Sequence, residues 1–100
     1  MGSTVADELE IVREKIRETD ARMAQLFIKR MELMRDVADC KYRLGLPVFD
    51  EAQEKRVTER NSALVPAELR GYYQIFLQAA MEAAKAYQHD LIAAKKEKNR

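Results

Sequence analysis

Residues that interrupt helices are scarce in this sequence. It has 3 glycines and 2 prolines among 100 residues. No proline precedes Pro47, and no glycine lies between Gly2 and Gly45, so nothing in that interval breaks a helix. Apolar residues make up 47% of the chain and charged residues 35%. This composition favours helices and argues against disorder.

Cysteine and histidine are also nearly absent. The single cysteine, Cys40, cannot form an internal disulfide, and its place in an apolar helical pattern predicts a small hydrophobe in the core. The single histidine, His89, is far from Cys40 along the chain, so the sequence offers neither a metal site nor a Cys–His nucleophile pair. We therefore expect no metal site.

The chain lacks the signals of secretion, membrane insertion and nucleic-acid binding. Residues 1–4 have no basic and apolar signal-peptide pattern, and no apolar run approaches the roughly 18 residues of a membrane span. The 18 basic and 17 acidic residues are interleaved, with a formal charge of +1. We predict a cytoplasmic protein with no nucleic-acid partner and no membrane partner.

The first part of the chain predicts one long helix, at about residues 6–44. Its apolar seam alternates spacings of three and four. The seam positions are Leu9, Val12, Ile16, Thr19, Met23, Leu26, Arg30, Leu33, Val37, Cys40 and Leu44. At 1.5 Å per residue this helix is about 55 Å long, whereas a compact 100-residue domain is roughly 26 Å across. Something outside the chain must therefore cover part of the helix.

A second, shorter helix is predicted at about residues 50–64. Gly45 followed by Pro47 ends the first helix. Asp50 with Gln53 three residues later has the form of a capping box, which marks the start of the second helix.

A third helix is predicted at about residues 66–96, because Pro66 stands where proline opens a helix. It carries two apolar stripes and should be buried on two sides. The first stripe is Leu69, Tyr73, Phe76, Ala80, Ala83 and Tyr87, and the second is Leu77, Met81, Ala84, Gln88 and Leu91. The prediction is a single all-α domain of residues 1–100 with three helices.

Three cations of the first helix depart from a simple amphipathic pattern. Arg30 lies in the apolar seam, where a guanidinium needs an anion, either a substrate or an acidic residue on another helix. Lys41 follows three turns later on nearly the same face and could share that anion. Arg13 is too distant along a straight helix to reach them within its own chain. It is either a solvated surface residue or a contribution from a partner chain.

Two further polar residues lie on inward faces. Glu54 shares the inner face of the second helix with Val57 and Asn61, and its carboxylate can accept a hydrogen bond there. Gln88 lies on an apolar stripe of the third helix, where a buried amide needs partners for two donors and an acceptor. A neighbouring backbone carbonyl is the alternative partner for Gln88.

These residues occur in an order and spacing that resembles the all-helical chorismate mutases. The matching segments lie within residues 9–91. They are 12–16 with Asp20, 29–33, Lys41, 46–48 with Asp50, Glu54, and 81–88. Each segment alone is weak evidence, whereas the ordered set in a chain of this length is fairly specific.

The resemblance implies an intertwined homodimer of three-helix protomers with two active sites. It also implies an isomerase that converts chorismate to prephenate by a Claisen rearrangement, without a cofactor, in phenylalanine and tyrosine biosynthesis. The implied catalytic residues are Lys41, Gln88, Arg30 and Glu54. The implied substrate-binding residues are Arg13, Arg30, Lys41, Asp50, Gln53, Glu54, Ala84 and Gln88.

The resemblance also implies a role for each main residue. Arg13 of the partner chain and Arg30 would hold the two carboxylates of the substrate, since a planar guanidinium matches a carboxylate bidentately. Lys41 and Gln88 would donate to the ether oxygen, where negative charge grows. Glu54 would accept a hydrogen bond from the ring hydroxyl, at a corner that Asp50 shapes.

Two positions depart from the family pattern and leave alternatives open. Gln53 stands where many members have arginine, and Ala84 stands where a serine often precedes the glutamine. A related activity on the same fold, isochorismate-pyruvate lyase or 4-amino-4-deoxychorismate mutase, is one alternative. A non-catalytic helical dimerisation module is another, with Arg30 setting the register of the helix pair. The domain could also be one piece of a larger fused enzyme.

Overall fold

The computed structural model describes residues 2 and 4–100, and these residues form three α-helices. The helices are α1 at Val5–Leu44, α2 at Glu51–Ser62 and α3 at Arg70–Lys98, and a 3-10 turn at Ala67–Leu69 precedes α3. No strand occurs in the part of the chain that the structure describes. The all-α class, with long first and third helices and a short second helix, is confirmed. Met1 and Ser3, which belong to the segment where we predicted no signal peptide, lie outside the described residues.

The chain divides into two compact units, Met1–Glu32 and Leu33–Arg100. The described part of the first unit is helical from Val5 onward, and none of its described residues is buried. The second unit contains the end of α1 together with α2 and α3. Its buried apolar residues are Ala38, Val48, Leu77, Met81 and Ala84. The core therefore belongs to the second unit.

The end of α1 is fixed by Gly45, as the sequence predicts. Gly45 has a φ of +68°, in the left-handed region that favours glycine. Its N–H donates to the Tyr42 carbonyl at 3.3 Å, and the Leu46 N–H donates to the Lys41 carbonyl at 2.9 Å. This pair of bonds is a Schellman motif, which satisfies carbonyls that a helix end leaves open.

The start of α2 uses half of the predicted capping box. Asp50 is the N-cap, and its carboxylate accepts the Gln53 N–H at 3.0 Å. The Gln53 side chain does not complete the box, because its carbonyl oxygen accepts from Arg56 at 3.1 Å. The helix ends at Ser62, slightly before the predicted end.

The start of α3 differs from the prediction. Pro66 is followed by the 3-10 turn, and the α-helix begins only at Arg70. The Arg70 side chain donates to the Ser62 carbonyl at 3.0 Å, which ties the end of α2 to the start of α3. The tighter turn thus connects two helices that are also joined by this side chain.

Two burial predictions are wrong for the chain alone. Of the two stripes of α3, the one that includes Leu77 and Gln88 is the buried one, whereas Phe76 of the other is 58% exposed. Cys40 is exposed rather than part of the core. The nearby Leu44 is also exposed, so the described chain covers neither seam residue at this end of α1.

Among the helices of the described residues, none has both the length and the apolarity that crossing a membrane requires.

Candidate active site

Gln88 is a buried amide without a strong partner. Its position on the inner stripe of α3 leaves it 5% exposed. Its NH2 group is 3.6 Å from the thioether sulfur of Met34, which is a weak acceptor, and its oxygen has no partner among the described residues. Buried polar groups are normally satisfied, so an amide left in this state points to a ligand. No backbone carbonyl, the alternative partner, satisfies it within the described chain.

Lys41 is a half-buried cation near the end of α1. Its ammonium donates to the carbonyl of the buried residue Val48 at 2.6 Å and so holds the connection between α1 and α2. Within the described residues no carboxylate pairs with Lys41. An ammonium has three N–H groups, which leaves donors of Lys41 available to an anion or an ether oxygen.

Glu54 lies in the first turn of α2 and pairs with Lys85 of α3, a residue that the sequence analysis missed. The Glu54 carboxylate is 3.1 Å from the Lys85 ammonium, and the side chains are 22% and 19% exposed. The same ammonium is 2.8 Å from the Glu82 carboxylate and 4.8 Å from the centre of the Phe49 ring. Lys85 directly follows Ala84, which lies on the buried stripe of α3. This position beside the stripe is the sequence signal that could have identified Lys85 as a site residue.

The charges around Lys85 stabilise one another. The hydrogen bond to Glu82, with a smaller contribution from Glu54, raises the pKa of Lys85 above its ordinary value despite partial desolvation. In turn, the hydrogen bond from Lys85 lowers the pKa of Glu82. The ammonium and its Glu82 partner are thus both ionised over the physiological pH range.

The side chains of the other predicted residues in the second unit either form local hydrogen bonds or have no polar group. Asp50 uses a carboxylate oxygen to cap α2. Gln53 is exposed and its oxygen is occupied by Arg56. Ala84 is buried in the core, where its methyl group offers no hydrogen bond. Of the two departures from the family pattern, Gln53 is a neutral amide whose oxygen is engaged locally, and Ala84 has no polar group.

The two predicted arginines belong to the first unit. Arg13 is exposed and forms an ion pair with Glu10 at 2.7 Å. Arg30 is half-buried rather than buried, because its neighbours Leu26 and Phe27 are themselves 66% and 52% exposed. No acidic residue of the described chain pairs with Arg30, so the alternative of a structural ion pair is not realised here.

The connection between α1 and α2 links Lys41 to the pair formed by Glu54 and Lys85. Val48, which accepts from Lys41, is followed by Phe49, and the Phe49 ring lies against the Lys85 ammonium that pairs with Glu54. Gln88 follows Lys85 by about one turn of α3.

A surface cavity of about 410 Å³ includes Glu54 in its lining but not Lys41 or Gln88. The unit thus presents donors and a positioned carboxylate, and in the described residues no group of His, Cys, Asp and Glu suits a metal ion.

Comparison with known proteins gives a consistent result. A family model described as chorismate mutase type II matches residues 12–89. A curated relative named chorismate mutase, from Methanocaldococcus jannaschii, is 37% identical over 54 residues, which are 54% of this chain and 54% of the relative. The alignment therefore spans about half the length of that relative. No solved structure matches the chain significantly.

Proposed function

Because the chain belongs to the type II chorismate mutase family, we propose that it is an isomerase that rearranges chorismate to prephenate. The step is intramolecular: the ether carbon–oxygen bond breaks as a carbon–carbon bond forms, and no atom is gained or lost. Such a reaction needs a compact substrate conformer and donors aimed at the oxygen where charge develops. It requires no base and no nucleophile.

The observation that carries this proposal is the unsatisfied amide of Gln88. Its NH2 group contacts only a thioether and its oxygen contacts no partner in the described residues, so the amide is held ready at a buried position. Gln88 and Lys41 donate to the ether oxygen of the substrate. Because that oxygen gains charge only as its bond to carbon breaks, both donors stabilise the transition state more than bound chorismate.

The remaining roles rest on the family resemblance. Glu54 accepts a hydrogen bond from the ring hydroxyl, at a corner that Asp50 shapes by fixing the start of α2. The substrate carboxylates are assigned to Arg30 and to Arg13 of a second copy. The unpaired state of Arg30 in the described chain agrees with a role in binding an anion.

The working form in this proposal is a homodimer. Large apolar side chains of the first unit are about half exposed or more. They are Val5, Leu9, Ile11, Val12, Ile16, Leu26, Phe27 and Ile28. A monomeric protein rarely leaves so many large apolar side chains in water along one helix, and a second copy of α1 would cover them.

The lone cysteine suits a reducing compartment, so we place the enzyme in the cytoplasm.

Product identification with purified protein and chorismate tests the activity. We expect prephenate from the unaltered protein without added metal or cofactor. Gln88→Ala should lower turnover about a hundredfold, the usual loss for one preorganised donor. Gln74→Ala, which removes an amide elsewhere on α3, is the matched control and should stay near the parental rate. Formation of a lyase product, or no turnover of chorismate, would contradict the proposal.

A further inference from the structure

We propose that Lys85 is a positioning residue of this active site, which fixes the Glu54 carboxylate and makes the corner selective for a neutral hydroxyl over a cationic substituent. The inference rests on the proposed function, since it concerns the group that meets the ring hydroxyl of the substrate. It adds a residue and a source of substrate selectivity to that site.

The first argument is that Lys85 is itself held in place. Its ammonium is 3.1 Å from Glu54 and 2.8 Å from Glu82, and it lies 4.8 Å from the centre of the Phe49 ring. A lysine side chain on a free surface samples many rotamers, whereas this one is 19% exposed and contacts partners from α2, from α3 and from the preceding connection. A cation fixed in this way can fix the carboxylate beside it.

The second argument is that the pair leaves Glu54 able to bind. Lys85 contacts one oxygen of the carboxylate, Oε2. No hydrogen bond within the described residues occupies the other oxygen, Oε1. An ionised carboxylate is an acceptor at both oxygens, so Oε1 remains free for a substrate hydroxyl. Lys85 therefore orients Glu54 without consuming its capacity to accept.

The third argument concerns charge. Glu54 and Glu82 place two negative charges around one ammonium, and the neighbouring Gln53 is neutral. If Lys85 were removed, the corner would carry two carboxylates with no cation between them. That field would attract a positively charged group such as the ring ammonium of 4-amino-4-deoxychorismate. With Lys85 present, the corner is closer to neutral and suits the hydroxyl of chorismate.

The experiment measures kcat/KM for both substrates in a set of variants. We expect Lys85→Met to lower kcat/KM for chorismate on the order of tenfold, because a misplaced contact group costs rate. The ratio of kcat/KM for chorismate to that for 4-amino-4-deoxychorismate should also fall. Lys85→Arg keeps the charge and should restore most of both values. Lys96→Met, at an exposed position of α3, removes an equivalent charge far along the helix and should change neither.

A double variant separates positioning from general damage. If Lys85 acts through Glu54, then adding Lys85→Met to Glu54→Gln should lower kcat/KM no further than Glu54→Gln does. Circular dichroism checks the folding of each variant, and Lys85→Gln replaces Lys85→Met if the latter does not fold.

The outcomes distinguish this inference from the proposed function. If the unaltered protein turns over chorismate, two results would overturn the role of Lys85 alone. One is a kcat/KM of Lys85→Met equal to that of Lys96→Met, and the other is independent losses of kcat/KM in the double variant. Failure of the unaltered protein to form prephenate would overturn the proposed function and the inference with it.

Discussion

Gln88 offers a test at the scale of a single residue, because its replacement by a titratable group changes only the donor. Burial favours the neutral form of a carboxyl, so Gln88→Glu should be protonated under acidic conditions and donate to the ether oxygen. At neutral pH the ionised carboxylate would repel the charge that develops there. We expect Gln88→Glu to be active only at acidic pH, measured as initial rates of chorismate loss. Equal rates at acidic and neutral pH would show that residue 88 does not donate to the ether oxygen.

The residues of the site were predicted from sequence to different extents. The burial of Gln88 followed from its place on an apolar stripe, and the structure confirms it. Lys85 was missed because a lysine beside the stripe looks like a solvated residue until the fold brings the first turn of α2 against the middle of α3. Cys40 was wrongly predicted as core, since periodicity identifies an apolar face but not what covers it. For the same reason, Arg30 was predicted on a buried seam but is only half-buried.

At the scale of elements, Gly45 at the end of α1 and Gly71 in α3 provide a matched pair of glycine substitutions. A Cβ added at Gly45 or at Gly71 would meet no atom within 4 Å, so neither substitution is hindered by packing. Gly45→Ala should destabilise the fold by about 1 kcal/mol, because its φ of +68° strains an L-residue. Gly71→Ala lies within α3 and should stabilise it by about 0.5 kcal/mol. Denaturant unfolding measures both, and equal effects would contradict this account.

The attachment of the α3 end to α1 should weaken in acid. Lys95 donates to Asp39 at 2.9 Å, and this hydrogen bond, assisted by Arg43, lowers the pKa of Asp39 below its ordinary 3.8. A carboxyl whose pKa is lowered by folding contributes stability above its unfolded pKa and loses it as the pH falls through the folded value. We therefore expect amide exchange near Lys95 to accelerate, relative to the core of α3, only below about pH 4.

Asp39→Asn is the control for that pH dependence. It removes the charge at every pH, so exchange near Lys95 should be fast at neutral pH and should change little further in acid. If exchange in the unaltered protein follows the same pH course as in Asp39→Asn, the Asp39–Lys95 pair does not hold the end of α3.

The helix boundaries were predicted well where one residue decides them. Gly45 stops α1 because only glycine readily takes the left-handed conformation, and Asp50 caps α2 because a carboxylate can accept the N–H of Gln53. The start of α3 was predicted less well. Pro66 marks a boundary without specifying whether the following turn is α or 3-10, and the contacts of Arg70 with α2 are not visible in a local pattern.

At the scale of the whole molecule, the sequence predicted that part of the long first helix needs a cover, and the described residues of the first unit are all unburied. The core of the second unit is built from only a few buried apolar residues. Sedimentation should therefore find a dimer at micromolar concentration, with folding and dimerisation lost together. A stable folded monomer at that concentration would contradict the proposed assembly.

The central claim is an isomerase whose active site takes Arg13 from a second copy, and one mixing experiment tests it most directly. Arg13→Ala and Arg30→Ala proteins should each be nearly inactive on chorismate. A heterodimer of the two has one site with both lesions and one site with both arginines, so random exchange of an equal mixture should restore about a quarter of the parental prephenate formation. A mixture that stays as inactive as its parents, despite verified subunit exchange, would contradict the claim.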